Sequence, residues 1–161
     1  MKKIFGSIII VLLLLTVLAT ATLAAPAAGA RELLLKGTVE ATETQNLVPP
    51  HNYINLNGSG NATQLGLFTY SLQATLYLPT LTAKNTKATF VAADGSTLST
   101  KGTGQGAFTD TPGIVSIVET LTITGGTGRF EGASGNITIQ RLVNRATLAS
   151  SGTIDGLIVL P

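Results

Sequence analysis

The chain has 161 residues, with 10 basic and 8 acidic side chains, one histidine and no cysteine. The missing cysteines exclude disulfide staples, zinc thiolate sites, cysteine-ligated iron–sulfur clusters and cysteine nucleophiles. Lys2 and Lys3 fall in an N-terminal leader, and without them the chain is formally neutral, so charge recommends neither nucleic acid nor an anionic surface as a partner.

Residues 1–25 read as a secretory signal peptide. Lys2 and Lys3 form its basic start, Ile8 to Leu18 an apolar core broken only by Thr16, and Ala19-Thr20-Ala21 or Leu23-Ala24-Ala25 a small-residue cleavage site. An uncleaved anchor is the alternative, because Ile4 to Ala24 is just long enough to span a bilayer. The small residues followed by Pro26 favour cleavage, and with it export to the cell envelope or medium without stable membrane insertion. Residues 26–32 read as a flexible lead, and residues 33–161 as one domain able to bury its own core. Few charges, abundant Thr, Ser and Gly, and frequent turn signals place that domain in the all-β class.

Leu33 to Thr42 is the first predicted strand, with Leu33, Leu35, Gly37 and Val39 on one face and Lys36, Thr38 and Glu40 on the other. Pro49-Pro50 stops pairing, and Asn57-Gly58-Ser59-Gly60 reads as a turn. Gly60 to Leu78 is long for one strand. Phe68, Tyr70, Leu72, Ala74, Leu76 and Leu78 nevertheless share one parity, which predicts a continuous bent strand with Gly66 at its start, ended by Pro79. Thr86 to Ala93 and Ser96 to Lys101 form a hairpin about Asp94-Gly95. Gly102 to Gly106 and Asp110 to Gly113 read as loops, and Ile114 to Thr124, Asn136 to Arg145 and Thr147 to Leu160 as strands. About eight strands joined by short turns, with no helical crossover, favour an eight-stranded antiparallel β-barrel of calycin-like type, a β-sandwich being the alternative.

Between the alternating runs Leu121, Ile123 and Ile137, Ile139 lies Gly125-Gly126-Thr127-Gly128-Arg129-Phe130-Glu131-Gly132-Ala133-Ser134-Gly135, with five glycines in eleven positions. Such a segment suits a tightly turned connection. Phe130 is its only large apolar residue and is expected to plug one end of the fold. A phosphate cradle would need a following helix, whereas Asn136 onward reads as strand.

This segment resembles the GG-x-G-x-FEGA-x-G stretch of the allene oxide cyclases, and Ile139-Gln140-Arg141-Leu142-Val143 stands where that family has a Leu-Gln-Gln-Leu/Ile-Val run. The dirigent proteins, which share the barrel, carry a looser GGTG-x-F version. Asn46-Leu47-Val48-Pro49-Pro50-His51-Asn52 is similar to the cyclases' Asp-Leu-Val-Pro-Phe-Thr-Asn. The resemblance spans Val39 to Val143 and implies an eight-stranded antiparallel barrel, with a trimer as its oligomer. It also implies a role for Asn52 in holding a water against a substrate epoxide, and for Glu40 in charge delocalisation. The loop that carries the family's Ser-Pro water ligand is reduced here to Thr44-Gln45, its tyrosine position falls near Gly113, and strand parity turns Glu40 outward.

Glu119 has the parity of Val115, Ile117, Leu121 and Ile123, and Arg141 that of Ile137, Ile139 and Val143, so both point into the apolar interior from neighbouring strands. Buried charges are costly unless paired. Either the two form a polar handle at the bottom of a ligand pocket, or they reach solvent at a strand end or satisfy each other. His51, beside Pro50, reads as a surface loop residue, and there is no second histidine. No G-x-S-x-G, H-E-x-x-H or acidic calcium loop occurs, and neither metal nor cofactor is expected. Asn57, Asn61 and Asn136 lie in sequons that matter only in a eukaryotic secretory pathway.

Together these features favour a secreted barrel that holds a small, mostly apolar molecule in its mouth. The expected lining is Val48, Pro49, Phe68, Tyr70, Leu72, Val115 and Ile117, with Glu119 and Arg141 as polar contacts. A second reading is an allene oxide cyclase-like or dirigent-like isomerase, steering a cyclisation or coupling by shape and a few dipoles, with Asn52 and Glu40 as its catalytic candidates. A third is a structural envelope protein with a filled barrel.

Overall fold

The computed structural model describes residues 29–161; the predicted signal peptide and residues 26–28 of the lead lie outside the described residues. Eight strands follow in order: β1 (Arg31–Val48), β2 (His51–Ala62), β3 (Gly66–Tyr77), β4 (Thr82–Val91), β5 (Thr97–Phe108), β6 (Ile114–Gly126), β7 (Ser134–Asn144) and β8 (Ala149–Leu160). Each pairs antiparallel with its chain neighbour, and β8 returns to β1, closing the barrel without a free edge. β1 is long because it is staggered. Its first part pairs with β8 from Arg31 opposite Leu160, while its last part pairs with β2 up to Val48 opposite His51. Such a stagger accompanies strand tilt in a closed barrel.

In–out alternation sorts the side chains: in β3, Phe68, Tyr70, Leu72 and Ala74 are buried and the residues between them exposed. Two glycine-rich stretches expected as turn or loop are instead strand interior. Asn57 to Gly60 lies within β2, where Gly58 opposes Tyr70 and Gly60 opposes Phe68. A Cβ on Gly58 would sit 2.4 Å from Tyr70 Cε1, and one on Gly60 2.6 Å from Phe68 Cζ. The rings fill the space that the glycines vacate. Gly102 to Gly106 likewise lies within β5, and a Cβ on Gly102 would meet the Thr120 carbonyl of β6 at 1.9 Å. The long strand expected from Gly60 to Leu78 divides at Thr63 to Leu65, where Gln64 takes φ 69° and reverses the chain, and β3 starts at Gly66.

Phe68, Tyr70 and Phe90 form an aromatic cluster, with Tyr70 and Phe90 stacked at 5.6 Å between centroids. The segment between β6 and β7 is the expected tight connection. It folds through one turn of 3-10 helix (Gly128–Phe130), and Phe130 is fully buried at the end of the barrel. Its neighbour Arg129 stays outside and ties three turns together, contacting the Asp94 carboxylate and donating from Nη2 to the Gln64 carbonyl at 2.6 Å, while its backbone N–H donates to Ser96 Oγ at 3.2 Å.

Candidate functional site

The opposite end of the barrel, bearing the β1–β2, β3–β4, β5–β6 and β7–β8 turns, holds a cavity of about 250 Å3. Part of its wall is apolar, with Leu72, Ala74, Leu76, Val115, Ile117 and Val143. The rim carries Leu78, Leu81, Phe108 and Arg145, whose guanidinium lies over the exposed Phe108 ring at 5.9 Å. The remaining wall is polar: Glu43, Gln45, Asn52, Glu119 and Arg141.

These polar residues form one connected cluster. Glu119, Arg141 and Glu43 are only 3%, 4% and 5% exposed, so each requires a partner. Arg141 supplies it, donating to Glu119 from Nε at 3.0 Å and Nη2 at 2.7 Å, and from Nη1 to Glu43 Oε1 at 2.5 Å and Ser150 Oγ at 3.2 Å. Burial alone would lower the Arg141 pKa, but the two carboxylates reverse that effect and hold it well above the ordinary arginine range. The cluster continues toward the mouth. Gln45 Nε2 donates to Glu43 Oε2 at 3.0 Å, and Asn52 Nδ2 donates to Gln45 Oε1 at 3.0 Å. Asn52 Oδ1, on a side chain from a residue 5% exposed, has no hydrogen-bond partner among the described residues.

Tyr70 lies behind this layer. Burial pushes its phenol up to about 12, the nearby Arg141 opposes the shift, and its hydroxyl also lacks a partner among the described residues.

Of the residues expected to line a ligand site, Leu72, Val115, Ile117, Glu119 and Arg141 meet at this cavity, as does Asn52. Phe68 and Tyr70 do not line it, because their rings are taken up by the aromatic cluster packed against Gly58 and Gly60. Val48 and Pro49 are exposed at the tip of the β1–β2 hairpin, beyond the cavity wall. Glu40 is on the outer surface beside Ser59, as its parity requires, and the first-strand carboxylate inside the barrel is Glu43. Extending the alternation Leu35, Val39, Ala41 one residue past the expected end of the strand would have reached it. His51 is half-buried at the start of β2, its ring 5.5 Å from that of Tyr77.

No protein-family model and no curated protein matches the sequence. Solved structures do. The pterocarpan synthase dirigent protein GePTS1 is similar over 88% of this chain and 95% of its own, with 14% identity and a TM-score of 0.57. The pterocarpan synthase dirigent protein PsPTS1 is similar over 80% of this chain and 94% of its own, with 15% identity and a TM-score of 0.55. The eight-stranded antiparallel barrel of this chain therefore has the fold of the dirigent proteins.

Proposed function

We propose that the protein is an exported single-domain barrel, residues 33–161 behind a leader of residues 1–25, that holds a small and mostly apolar molecule in its mouth. The observation that carries this reading is a cavity whose lining combines apolar side chains with a connected, buried charged cluster. Its volume exceeds the roughly 150 Å3 void that takes benzene and falls below the roughly 300 to 1,000 Å3 of drug-sized sites, so a molecule of one or two rings fits. The charged cluster is rigidly tied, as a site that orients a ligand needs to be. Neither nucleic acid nor a bilayer is part of this reading, while self-association, as a trimer, is.

Native mass spectrometry of protein purified from its producing cells, followed by organic extraction, tests it. A stoichiometric apolar adduct is expected. A clean apo mass, with no thermal shift across a panel of small aromatics, epoxides and fatty acids, refutes it and favours a structural barrel. A second reading, an isomerase that steers a cyclisation or coupling, is supported by the likeness to the two pterocarpan synthase dirigent proteins. In that case Asn52 and Arg141, which line the cavity, are the residues placed to orient a reactive intermediate.

A further inference from the structure

The polar wall has a direction imposed on it. As the ion-pair partner of Arg141, the Glu43 carboxylate only accepts hydrogen bonds. Gln45 must therefore turn its amide nitrogen to Glu43 and its oxygen to Asn52, and Asn52 must in turn present its nitrogen to Gln45. The end of the relay is fixed as an acceptor: Asn52 Oδ1 is buried, on the cavity wall, and unpartnered among the described residues. A buried carbonyl oxygen left without a donor is costly, so the site favours an occupant that supplies one. The cluster behind it is also short of positive charge. Two carboxylates, Glu43 and Glu119, share one guanidinium, Arg141, and all three are shielded from solvent. Arg145 does not make up the difference from inside, because it is exposed at the rim with its guanidinium over the Phe108 ring.

We propose that the occupant of the cavity is an apolar amine whose ammonium head donates to Asn52 Oδ1. This rests on the binding reading above and narrows it. A protonated amine meets both demands, the missing donor and the missing positive charge. A hydroxyl meets only the first. A carboxylate meets neither and brings a third negative charge toward Glu43 and Glu119.

Four probes with one apolar body separate these cases: 2-phenylethylamine, 2-phenylethanol, phenylacetate and ethylbenzene, titrated calorimetrically at one ionic strength into the protein lacking its leader. The amine should bind at least about tenfold tighter than ethylbenzene and phenylacetate, with the alcohol between them. Asn52→Leu should weaken the amine severalfold and remove the advantage of the alcohol over ethylbenzene, because only the acceptor is lost. Asn52→Asp, which keeps an acceptor of the same shape, should widen the preference for amine over phenylacetate, and it serves if the leucine variant does not fold. Phenylacetate or the alcohol binding as tightly as the amine overturns the proposal, as does an unchanged order in Asn52→Leu or an amine-to-phenylacetate ratio that does not widen in Asn52→Asp. If ethylbenzene binds and the head group makes no difference, the amine inference fails and the binding cavity stands. If no probe binds, both fail.

Discussion

Replacing Arg141 with methionine should be among the most damaging single substitutions in this protein. Methionine fills the stem of the arginine but strands two carboxylates, Glu119 and Glu43, both nearly inaccessible to water. It removes the donors at 2.7 and 3.0 Å on Glu119, at 2.5 Å on Glu43 and at 3.2 Å on Ser150. Breaking a buried pair by deleting one partner costs about 3 to 5 kcal/mol, because a buried charge is left uncompensated. For a domain of this size that corresponds to a fall in melting temperature of about 12 to 20 °C, taking about 4 °C per kcal/mol. Circular dichroism melts and urea titrations at neutral pH measure it, with a constant m-value confirming that only stability has changed. A companion variant isolates the cause. Combining Arg141→Met with Glu119→Leu and Glu43→Gln removes the stranded charges along with the guanidinium, and should return stability to within about 2 kcal/mol of the parent. A melting point for Arg141→Met within about 4 °C of the parent would refute the reasoning. So would a triple variant no more stable than the single one, since the loss would then come from packing rather than charge.

Two further substitutions probe the rest of the barrel. Phe130→Ala should destabilise by about 3 to 5 kcal/mol, since the fully buried ring closes the barrel end, whereas Arg129→Ala, half exposed beside it, should barely move the melt; comparable losses in denaturant titrations would show that the turn clamp, not the plug, holds that end. Tyr70→Phe removes a buried hydroxyl without a partner and should be neutral or stabilising by about 1 kcal/mol. Because burial raises the folded-state Tyr70 pKa from 10.0 to about 12, its contribution is intact below pH 10 and is lost as pH rises through about 12. Stability should thus fall less steeply over that window in Tyr70→Phe, and the late phase of the phenolate absorbance titration should vanish; a titration unchanged by the substitution would place that phase on another group.

Much of the architecture was legible in local alternation. The period of two along Val115, Ile117, Glu119, Leu121 and Ile123 put Glu119 inside, that along Ile137, Ile139, Arg141 and Val143 put Arg141 inside, and both are buried as the pattern requires. The Asp94-Gly95 turn and the glycine-dense connection ending in a buried Phe130 followed from turn chemistry and from the presence of one large apolar residue in a polar loop. Composition alone pointed to the all-β class, because few charges and many Thr, Ser and Gly suit strands and tight turns better than helices.

Closure of the barrel decided the rest. Asn57 to Gly60 has the composition of a turn, and it is strand because Tyr70 and Phe68 from β3 occupy the space where its side chains would be. That demand comes from a neighbouring strand and leaves no mark on the segment itself. The same holds for the site. Glu43 lies on the first strand and Glu119 on the sixth, and they meet at Arg141 only because the barrel closes and all three side chains point inward at one level. Alternation along a strand determines whether a side chain faces inward. Its height and its partners depend on the stagger between strands, which is a property of the closed barrel rather than of any one segment.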